Sequence, residues 1–225
     1  MGAADAHHIA DVLRLRPGDR VALVHGGCVY EAALQAVRSD AVEAGILRLL
    51  HDDGGELPAE VTVLQALLKG SKFDEVVEKV VELGAARIVP VRCERSFTRV
   101  GSSGKCMRWR RIAQAAGQQS RRRILPQVDD VCSLSEALQR YALGEPLFVA
   151  FESAPLGSLA AALRNYKAPG RLAIAAGPEG SFSPPEIALA LHRDAHIVSL
   201  GPTILRAQSA APALLAAIAA HNGWW

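Results

Sequence analysis

The chain has 225 residues, of which 50% are hydrophobic, and its formal net charge is only +2. This length fits one large or two small domains. The sequence contains no run of about eighteen apolar residues and no apolar signal core, so we expect neither a membrane span nor a secretory leader. The four cysteines form no CxxC pair, which disfavours disulfides and a metal site and favours a reducing, cytoplasmic environment: Cys28, Cys93, Cys106 and Cys132.

Residues 1–66 are rich in strand signals. In "RPGDRVALVHGGCVYEAAL", two apolar runs flank Gly26 and Gly27, which is typical of a β-hairpin. The stretch "AGILRLLHDDGGELPAEVTVLQAL" repeats this pattern with an Asp/Gly turn between two apolar runs. Several short strands at this spacing indicate a small barrel or sandwich. We therefore expect a small β domain over residues 1–68 and a second domain over residues 69–225.

After residue 70 the pattern changes to alternating helices and strands. An apolar stripe at i, i+3, i+4 and i+7 begins at Phe73 and predicts an amphipathic helix that ends at Gly84. The strand "RIVPVR" follows, and then a helix that carries Trp109 and Ile112 on one face. Helical stretches separate three further apolar runs, "PLFVAFE", "RLAIAAG" and "HIVSLG". This alternation predicts a parallel sheet in a three-layer α/β domain.

Positive charge is concentrated between Arg92 and Arg123. The segment contains ten Lys or Arg residues and a single acid, Glu94, although the whole chain is nearly neutral. Such an asymmetric block is the electrostatic mark of a surface that binds a polyanion, and arginine suits the bidentate recognition of phosphates. The alternative is a solvated face without a partner.

The stretch "GPEGSFSPPE", residues 177–186, follows a predicted strand. Ser183 at the N-cap, Pro184 at the first helical position and Glu186 two residues later predict a capping box. The preceding "GPEG" is not needed for this helix start, and its glycines allow positive φ and close backbone approach. Because ligands of open parallel sheets bind beyond the carboxyl ends of the strands, this turn is a candidate binding loop.

A second Gly-Pro turn, in "SLGPTILRAQSA", follows the last predicted strand. Two such turns at two strand ends would enclose a ligand between them. The chain has neither a GxGxxG nor a GxxxxGK[ST] motif, which disfavours a dinucleotide or a triphosphate. Main-chain groups in such turns suit a flat base such as adenine, held by backbone and apolar contacts.

The stretches "GPEGSFSPPEI" and "LGPTILRAQSAA" resemble the two C-terminal motifs of the 16S rRNA uracil-N3 methyltransferase family, often written RsmE, of the SPOUT class. The resemblance covers nearly the whole chain. "HHIADVLRLRPGDRVALVHGG" is similar to the start of the family's PUA-like domain. "KGSKFDEVVEKVVELGAARIVPVRCERS" and "RWRRIAQAAGQQSRRRILPQV" are similar to the first helices of its methyltransferase domain. Several motifs in the right order make the resemblance specific.

This resemblance implies an α/β fold in which a SPOUT-type trefoil-knotted parallel-sheet domain follows a small PUA-like β-barrel domain. It also implies a homodimeric enzyme that uses S-adenosylmethionine to methylate N3 of a uridine in 16S rRNA. The enzyme would act in the cytoplasm on the assembled 30S subunit, and the β domain would help to grip RNA. The cofactor would lie in the knot against three loops, formed by Phe151, Glu152, Gly177, Pro178, Glu179, Gly180, Leu200, Gly201, Ile204 and Leu205.

Uracil N3 carries a proton and lies on the pairing edge, so the base must be unpaired before N3 attacks a methyl group. A guanidinium would stabilise the deprotonated base. Arg206, which follows the last cofactor loop, is the candidate catalytic residue, and a salt bridge or a carbonyl cap is its alternative role. Phosphate contacts are assigned to arginines of both domains: Arg14, Arg16, Arg95, Arg108, Arg110, Arg111, Arg121, Arg122 and Arg123.

The chain departs from the family pattern at several positions. Ser181 stands where the family often has glycine, and Gln208 where it commonly has glutamate, so any role that needs a carboxylate there is open. The chain also starts short of the family's usual amino terminus. The carboxylate of Glu179 either caps its own turn or faces the RNA.

Three other functions fit parts of the sequence. The first is a SPOUT methyltransferase with another RNA target. The second is a catalytically decayed RNA-binding or ribosome-assembly protein. The third is a Rossmann-type nucleotide-binding enzyme, which the missing glycine fingerprint disfavours.

Overall fold

A computed structural model describes residues 6–50, 56–96, 103–164, 166 and 170–224. The chain divides into two units, Met1–Gly55 and Glu56–Trp225. The first unit contains a π-helical segment, His8–Val12, and the strands β1 Arg20–His25, β2 Cys28–Val37 and β3 Val42–Leu50. These strands form an antiparallel sheet in the order β1-β2-β3.

The turn between β1 and β2 confirms the first predicted hairpin. Gly26 and Gly27 have φ values of +57° and +77°, and the register pairs His25 with Cys28. Two-residue turns with positive φ at both positions match the right-handed twist of the flanking strands. Ile9, Leu34 and their neighbours form a small core beneath this sheet.

The second unit contains the strands β4 Glu60–Ala66, β5 Arg87–Arg92, β6 Gln127–Val128, β7 Cys132–Ser133, β8 Leu147–Ala150, β9 Arg171–Ala176 and β10 His196–Val198. Its helices are α1 Lys72–Glu82, α2 Ser103–Gln119, α3 Leu134–Tyr141, α4 Ser158–Leu163, α5 Pro184–Leu191 and α6 Ala207–His221. The strands form one parallel sheet in the order β10-β8-β9-β4-β5-β6, and β7 also pairs with β5. The predicted parallel α/β domain is therefore confirmed.

Helices cover both faces of this sheet. One apolar cluster contains buried side chains of α1, α2 and α6, and the other contains those of α3 and α5. The predicted stripe of α1 is buried, and Phe73 packs on Trp109 of α2 with ring centroids 4.2 Å apart. Gly84, just past α1, has φ +100°, and a Cβ there would lie 2.5 Å from Cγ of Leu57. Both facts favour glycine as the residue that ends the helix.

The second predicted hairpin is wrong. Strand β4 pairs in parallel with β5 and β9 at the centre of the large sheet. The chain accordingly divides after Gly55 rather than after residue 68. Val61, Val63 and Leu64 of β4 are at most 1% exposed, and a strand that is buried on both faces has a continuous apolar sequence. The sequence pattern alone does not distinguish a central parallel strand with such an apolar run from the second strand of a hairpin.

No helix in the described parts of the chain is both long and apolar enough to cross a membrane. The same parts hold no cluster of three or more His, Cys, Asp or Glu side chains that could bind a metal ion. The trefoil knot implied by the resemblance stays a prediction. Strands β10, β8 and β9 are neighbours, so their carboxyl ends at Val198, Ala150 and Ala176 lie side by side. The three loops that follow them form the site described next.

Candidate active site

A cavity of about 320 Å³ lies at the carboxyl ends of β8, β9 and β10. Its walls come from the three loops after these strands and from the first turns of α6. Nine of the ten predicted cofactor residues line it: Phe151, Glu152, Gly177, Pro178, Glu179, Leu200, Gly201, Ile204 and Leu205. The tenth, Gly180, does not line the cavity, because its carbonyl faces Arg95 and accepts a hydrogen bond of 3.1 Å from Nη1.

The cavity also contains lining residues that the sequence analysis did not assign. They are Ala150, Ala154, Leu156, Ser181, Ser199, Pro202, Thr203, Ala207 and Ala210. Most are immediate chain neighbours of assigned residues. The two Gly-Pro turns marked the loops after β9 and β10, whereas the loop after β8 was assigned only from the family resemblance. No pattern in the sequence marked the alanines of α6, whose small side chains bring the helix close to the cavity.

A wider depression of about 440 Å³ lies at the opposite edge of the sheet, near the amino ends of β4 and β9. It is lined by Leu57, Pro58, Ala59, Glu60, Glu145, Gly170 and Arg171. Ligands of open parallel sheets bind at the carboxyl edge. We therefore assign the site to the smaller cavity, where three loops converge.

The loop of residues 177–181 is tied to the start of α1 through Glu179. The carboxylate of Glu179 accepts hydrogen bonds from the backbone N–H of Lys69 (3.2 Å) and from Nζ of Lys72 (2.9 Å). Burial alone would raise the pKa of Glu179, but the hydrogen bonds from Lys72 and the backbone outweigh it, and the pKa is lowered. Glu179 therefore anchors the loop as an ionised carboxylate.

Ser181 connects this loop to the end of β8. Its φ is +64°, in the left-handed region where glycine is favoured. Its hydroxyl donates a hydrogen bond of 2.7 Å to Oε2 of Glu152. The contact accounts for a polar side chain at a position where the backbone alone would favour glycine.

The start of α5 has the predicted capping box. Ser183 is the N-cap and proline occupies the first helical turn. The carboxylate of Glu186 accepts hydrogen bonds from the N–H of Ser183 (2.9 Å) and of Glu94 (2.8 Å). Burial, followed by the negative charge of Glu186, raises the pKa of the Cys93 thiol. This cysteine is therefore a protonated core residue and not a nucleophile.

Arg206 is the N-cap of α6 and lies directly between two cavity-lining residues, Leu205 and Ala207. It is exposed, and its guanidinium forms no hydrogen bond or ion pair within the described residues. The alternative role as a salt bridge or carbonyl cap is therefore not seen in this part of the chain. Two residues later, Oε1 of Gln208 is buried and has no hydrogen-bond partner among the described residues.

Comparison with known proteins agrees with this architecture. The profile of an RNA methyltransferase domain matches residues 55–219, and that of an RNA methyltransferase PUA domain matches residues 2–47. A Synechocystis protein named ribosomal RNA small subunit methyltransferase E is 36% identical over 221 residues, which are 96% of this chain and 70% of that protein.

The chain belongs to the ribosomal RNA small subunit methyltransferase E family.

Two further members of the family support this assignment. The Bacillus subtilis protein of the same name is 31% identical over 222 residues, which are 95% of this chain and 86% of the relative. The crystal structure of the Neisseria gonorrhoeae ribosomal RNA small subunit methyltransferase E, bound to S-adenosylmethionine, superposes with a TM-score of 0.86 at 30% identity. It covers 100% of this chain and 91% of that one. The resemblance stated from the sequence is confirmed.

In this member of the methyltransferase E family, the arginines assigned to RNA contacts separate into distinct groups. Arg122 is a correction, because it is only 5% exposed. Its guanidinium donates to Oε2 of Glu56 from Nε (2.9 Å) and forms an ion pair with the same oxygen from Nη2 (2.7 Å). Its Nη1 donates to the carbonyls of Val81 (2.8 Å) and Ala85 (3.0 Å). A guanidinium used in this way is not available for phosphates.

Other arginines of the basic segment are exposed but paired. Arg108 bonds to Asp74, which also accepts the indole N–H of Trp109. Arg110 donates to the carbonyl of Val128 and to Asp130. The side chains of Arg108 and Arg110 are 67% and 48% exposed. They would reach phosphates only alongside an acidic neighbour, which weakens the attraction.

The remaining assigned arginines differ in how much of the side chain is accessible. Arg111 and Arg121 are exposed and, within the described residues, form no side-chain hydrogen bond or ion pair. The backbone N–H of Arg123 donates to Oε1 of Glu56 (2.8 Å). In the small domain, Arg14 and Arg16 are exposed. Arg99, which contributes to the basic segment of the sequence, lies outside the described residues.

Proposed function

We propose that this chain transfers a methyl group from S-adenosylmethionine to N3 of a uridine in 16S rRNA of the assembled small ribosomal subunit. Two observations support the proposal together. The chain is a member of the methyltransferase E family over nearly its whole length. It also has a cavity where three strand-end loops meet, with Arg206 directly beside it.

The cavity fits the cofactor in size and in chemistry. Its volume of about 320 Å³ lies at the lower end of the range of about 300–1,000 Å³ for small-molecule sites. Leu200, Ile204, Leu205 and Pro178 provide apolar walls for a flat adenine, and Glu152 and Ser199 provide polar groups for hydroxyl or ammonium groups. When bound, the cofactor supplies an electrophilic methyl group on a sulfonium.

Arg206 is proposed to act on the base. Its guanidinium would stabilise the negative charge that develops when N3 loses its proton, and a nearby positive charge lowers the pKa of such an acid. Because no described residue pairs with this guanidinium, it is available for a substrate. Holding the unpaired uracil edge next to the cavity would supply the alignment from which such reactions gain much of their rate.

RNA binding is proposed for the exposed arginines. Arg111 and Arg121 in the large domain and Arg14 and Arg16 in the small domain are the best placed, because none of them is buried. Arg95 would contribute a partial contact, since it also donates to the carbonyl of Gly180. Such contacts neutralise phosphates and make affinity depend on salt.

We also propose a homodimer that acts in the cytoplasm, where assembled small subunits occur. Leu156 and Ile204 line the cavity and are 69% and 83% exposed. Large apolar side chains at this level of exposure are typical of a surface that a partner covers. Size-exclusion chromatography with light scattering measures the oligomeric state, and a monomer at micromolar concentration would contradict this part of the proposal.

The experiment that tests the proposed function uses small subunits that lack the modification. They are incubated with the protein and S-adenosylmethionine that carries a labelled methyl group, and the methylated nucleotide is mapped. Label at N3 of one uridine supports the proposal. Label at another RNA position would make the chain a methyltransferase with a different target. Absence of both label and cofactor binding in calorimetry would make it a decayed RNA-binding protein.

A further inference from the structure

We propose that Ser181 is a positioning residue that holds Glu152 in place and thereby shapes the cofactor cavity before any ligand binds. The inference rests on the proposed function, because it assigns the cavity to S-adenosylmethionine. It goes beyond that function by giving Ser181, a lining residue, the role of holding the side chain of Glu152.

Three side-chain contacts anchor the loop of residues 177–181. Glu179 bonds to Lys69 and Lys72, Gly180 accepts a hydrogen bond from Arg95, and Ser181 donates to Glu152. Lys69 and Lys72 lie outside the cavity wall, and so do both Gly180 and Arg95. Among the described residues, the bond between Ser181 and Glu152 is the side-chain hydrogen bond that joins two different loops of the wall. It joins the loop after β9 to the loop after β8, beyond the strand ends that pair at Ala176 and Ala150.

Serine at this position has a conformational cost. With φ at +64°, residue 181 lies in the left-handed region, where any side chain beyond glycine is disfavoured. The hydroxyl offsets that cost through a charge-assisted bond to a carboxylate. The O···O distance of 2.7 Å is in the range expected for such bonds.

The bond restrains a side chain that would otherwise be mobile. Glu152 is exposed and follows the end of β8. Without a partner, it would sample several rotamers and would have to be ordered when a ligand binds. Ordering a rotamer-rich side chain costs part of the binding free energy, and a contact that exists beforehand removes that cost. Ser181 therefore acts on affinity for the cofactor and not on the methyl transfer.

The test compares two variants that differ in backbone strain but both lack the hydroxyl. S181A keeps the strain, because alanine also has a Cβ, whereas S181G removes it. In both variants, isothermal titration calorimetry with S-adenosylmethionine should show an affinity loss of roughly two- to tenfold, the cost of ordering one rotamer-rich side chain on binding. The thermal midpoint should fall for S181A and stay near the wild-type value for S181G.

Two further measurements separate positioning from general stability. In the E152A background, replacing Ser181 with glycine should have no additional effect on affinity, because the partner is already absent. Hydrogen exchange of the cofactor-free protein should be faster in residues 151–156 of both Ser181 variants than in the wild type.

The outcomes distinguish the inference from the function on which it rests. If S181G binds the cofactor as tightly as the wild type, or loses affinity equally in the E152A background, the positioning role is wrong and the methyltransferase function stands. If the wild type itself binds no S-adenosylmethionine, both proposals fall together.

Discussion

Replacing the buried Arg122 with alanine should strongly destabilise the large domain, whereas replacing its exposed neighbour Arg121 should not. Both belong to one run of three arginines, and both were assigned to RNA from the sequence. The side chain of Arg122 is only 3% exposed and that of its partner Glu56 is 16% exposed. The pair links the start of the large domain to the carbonyl groups at the end of α1.

The expected cost follows from the contacts that remain after the change. Removing one partner of a buried ion pair costs about 3–5 kcal/mol, because the other charge stays buried. In this case, Glu56 keeps two backbone donors, the N–H groups of Arg123 (2.8 Å) and Ile124 (3.0 Å). The lower end, about 3 kcal/mol, is therefore expected. For a chain of this size, each kcal/mol lowers the melting temperature by about 2–4 °C, so R122A should melt about 6–12 °C below the wild type.

Differential scanning calorimetry measures the melting temperature, and RNA titrations at several salt concentrations measure the electrostatic contribution to binding. R121A is the matched control. It should keep the melting temperature within about 2 °C but reduce the salt slope by about 0.9, the value for one phosphate contact. If R122A has the same melting temperature as the wild type, or if it reduces the salt slope of RNA binding as much as R121A does, the structural role of Arg122 is refuted.

Three other predictions test the site and its surface. R206A should lower kcat by about a hundredfold or more, the usual size for one lost charge-stabilising donor, and should change cofactor affinity by less than about threefold; unchanged turnover would exclude the catalytic role. The double variant R111A/R121A should reduce the salt slope of RNA binding by about 1.8. The control R171A, at the opposite edge of the sheet, should leave the slope unchanged. If the double variant has the same slope as the wild type, the basic surface is a solvated face that does not bind RNA. Because the pKa of Glu179 is lowered from its usual value of 4.5, its ion pair with Lys72 contributes stability above that pH, and the contribution is lost as the pH falls through the lowered pKa. E179Q should therefore melt below the wild type at pH 7, and the difference should disappear in acid; a difference that stays constant down to pH 3 would contradict the ion pair.

The two Gly-Pro turns show how far the sequence predicted the candidate site. They marked the loops after β9 and β10, and the family resemblance added Phe151 and Glu152 after β8. Nine of the ten residues assigned in these two ways line the cavity. The exception, Gly180, faces Arg95, which lies 85 residues earlier in the chain. The loops were predictable because turn chemistry depends on the residues of the turn itself. The orientation of one carbonyl within the turn depends on what packs against it.

Strand β4 shows the limit of the same reasoning for the fold. Its apolar run correctly predicted a strand, but its partners, β5 and β9, lie in other parts of the chain. Pairing depends on which strands the fold brings together, and a short apolar run fits a hairpin and a parallel sheet equally well. The domain boundary was misplaced for this reason.

The sequence by itself determined the features that depend on near neighbours: the glycine hairpin, the buried stripe of α1, the capping box of α5 and the loops around the cavity. Tertiary structure alone decided which of the polar side chains are buried, paired or free. Arg121 and Arg122 are adjacent and chemically identical, and a glutamate 66 residues from Arg122 removes it from the surface. Likewise, Ser181 bonds to a carboxylate 29 residues away and Glu179 to an ammonium 107 residues away. The free energy of a charged or polar group depends on its surroundings in space, and those surroundings exist only once the chain has folded.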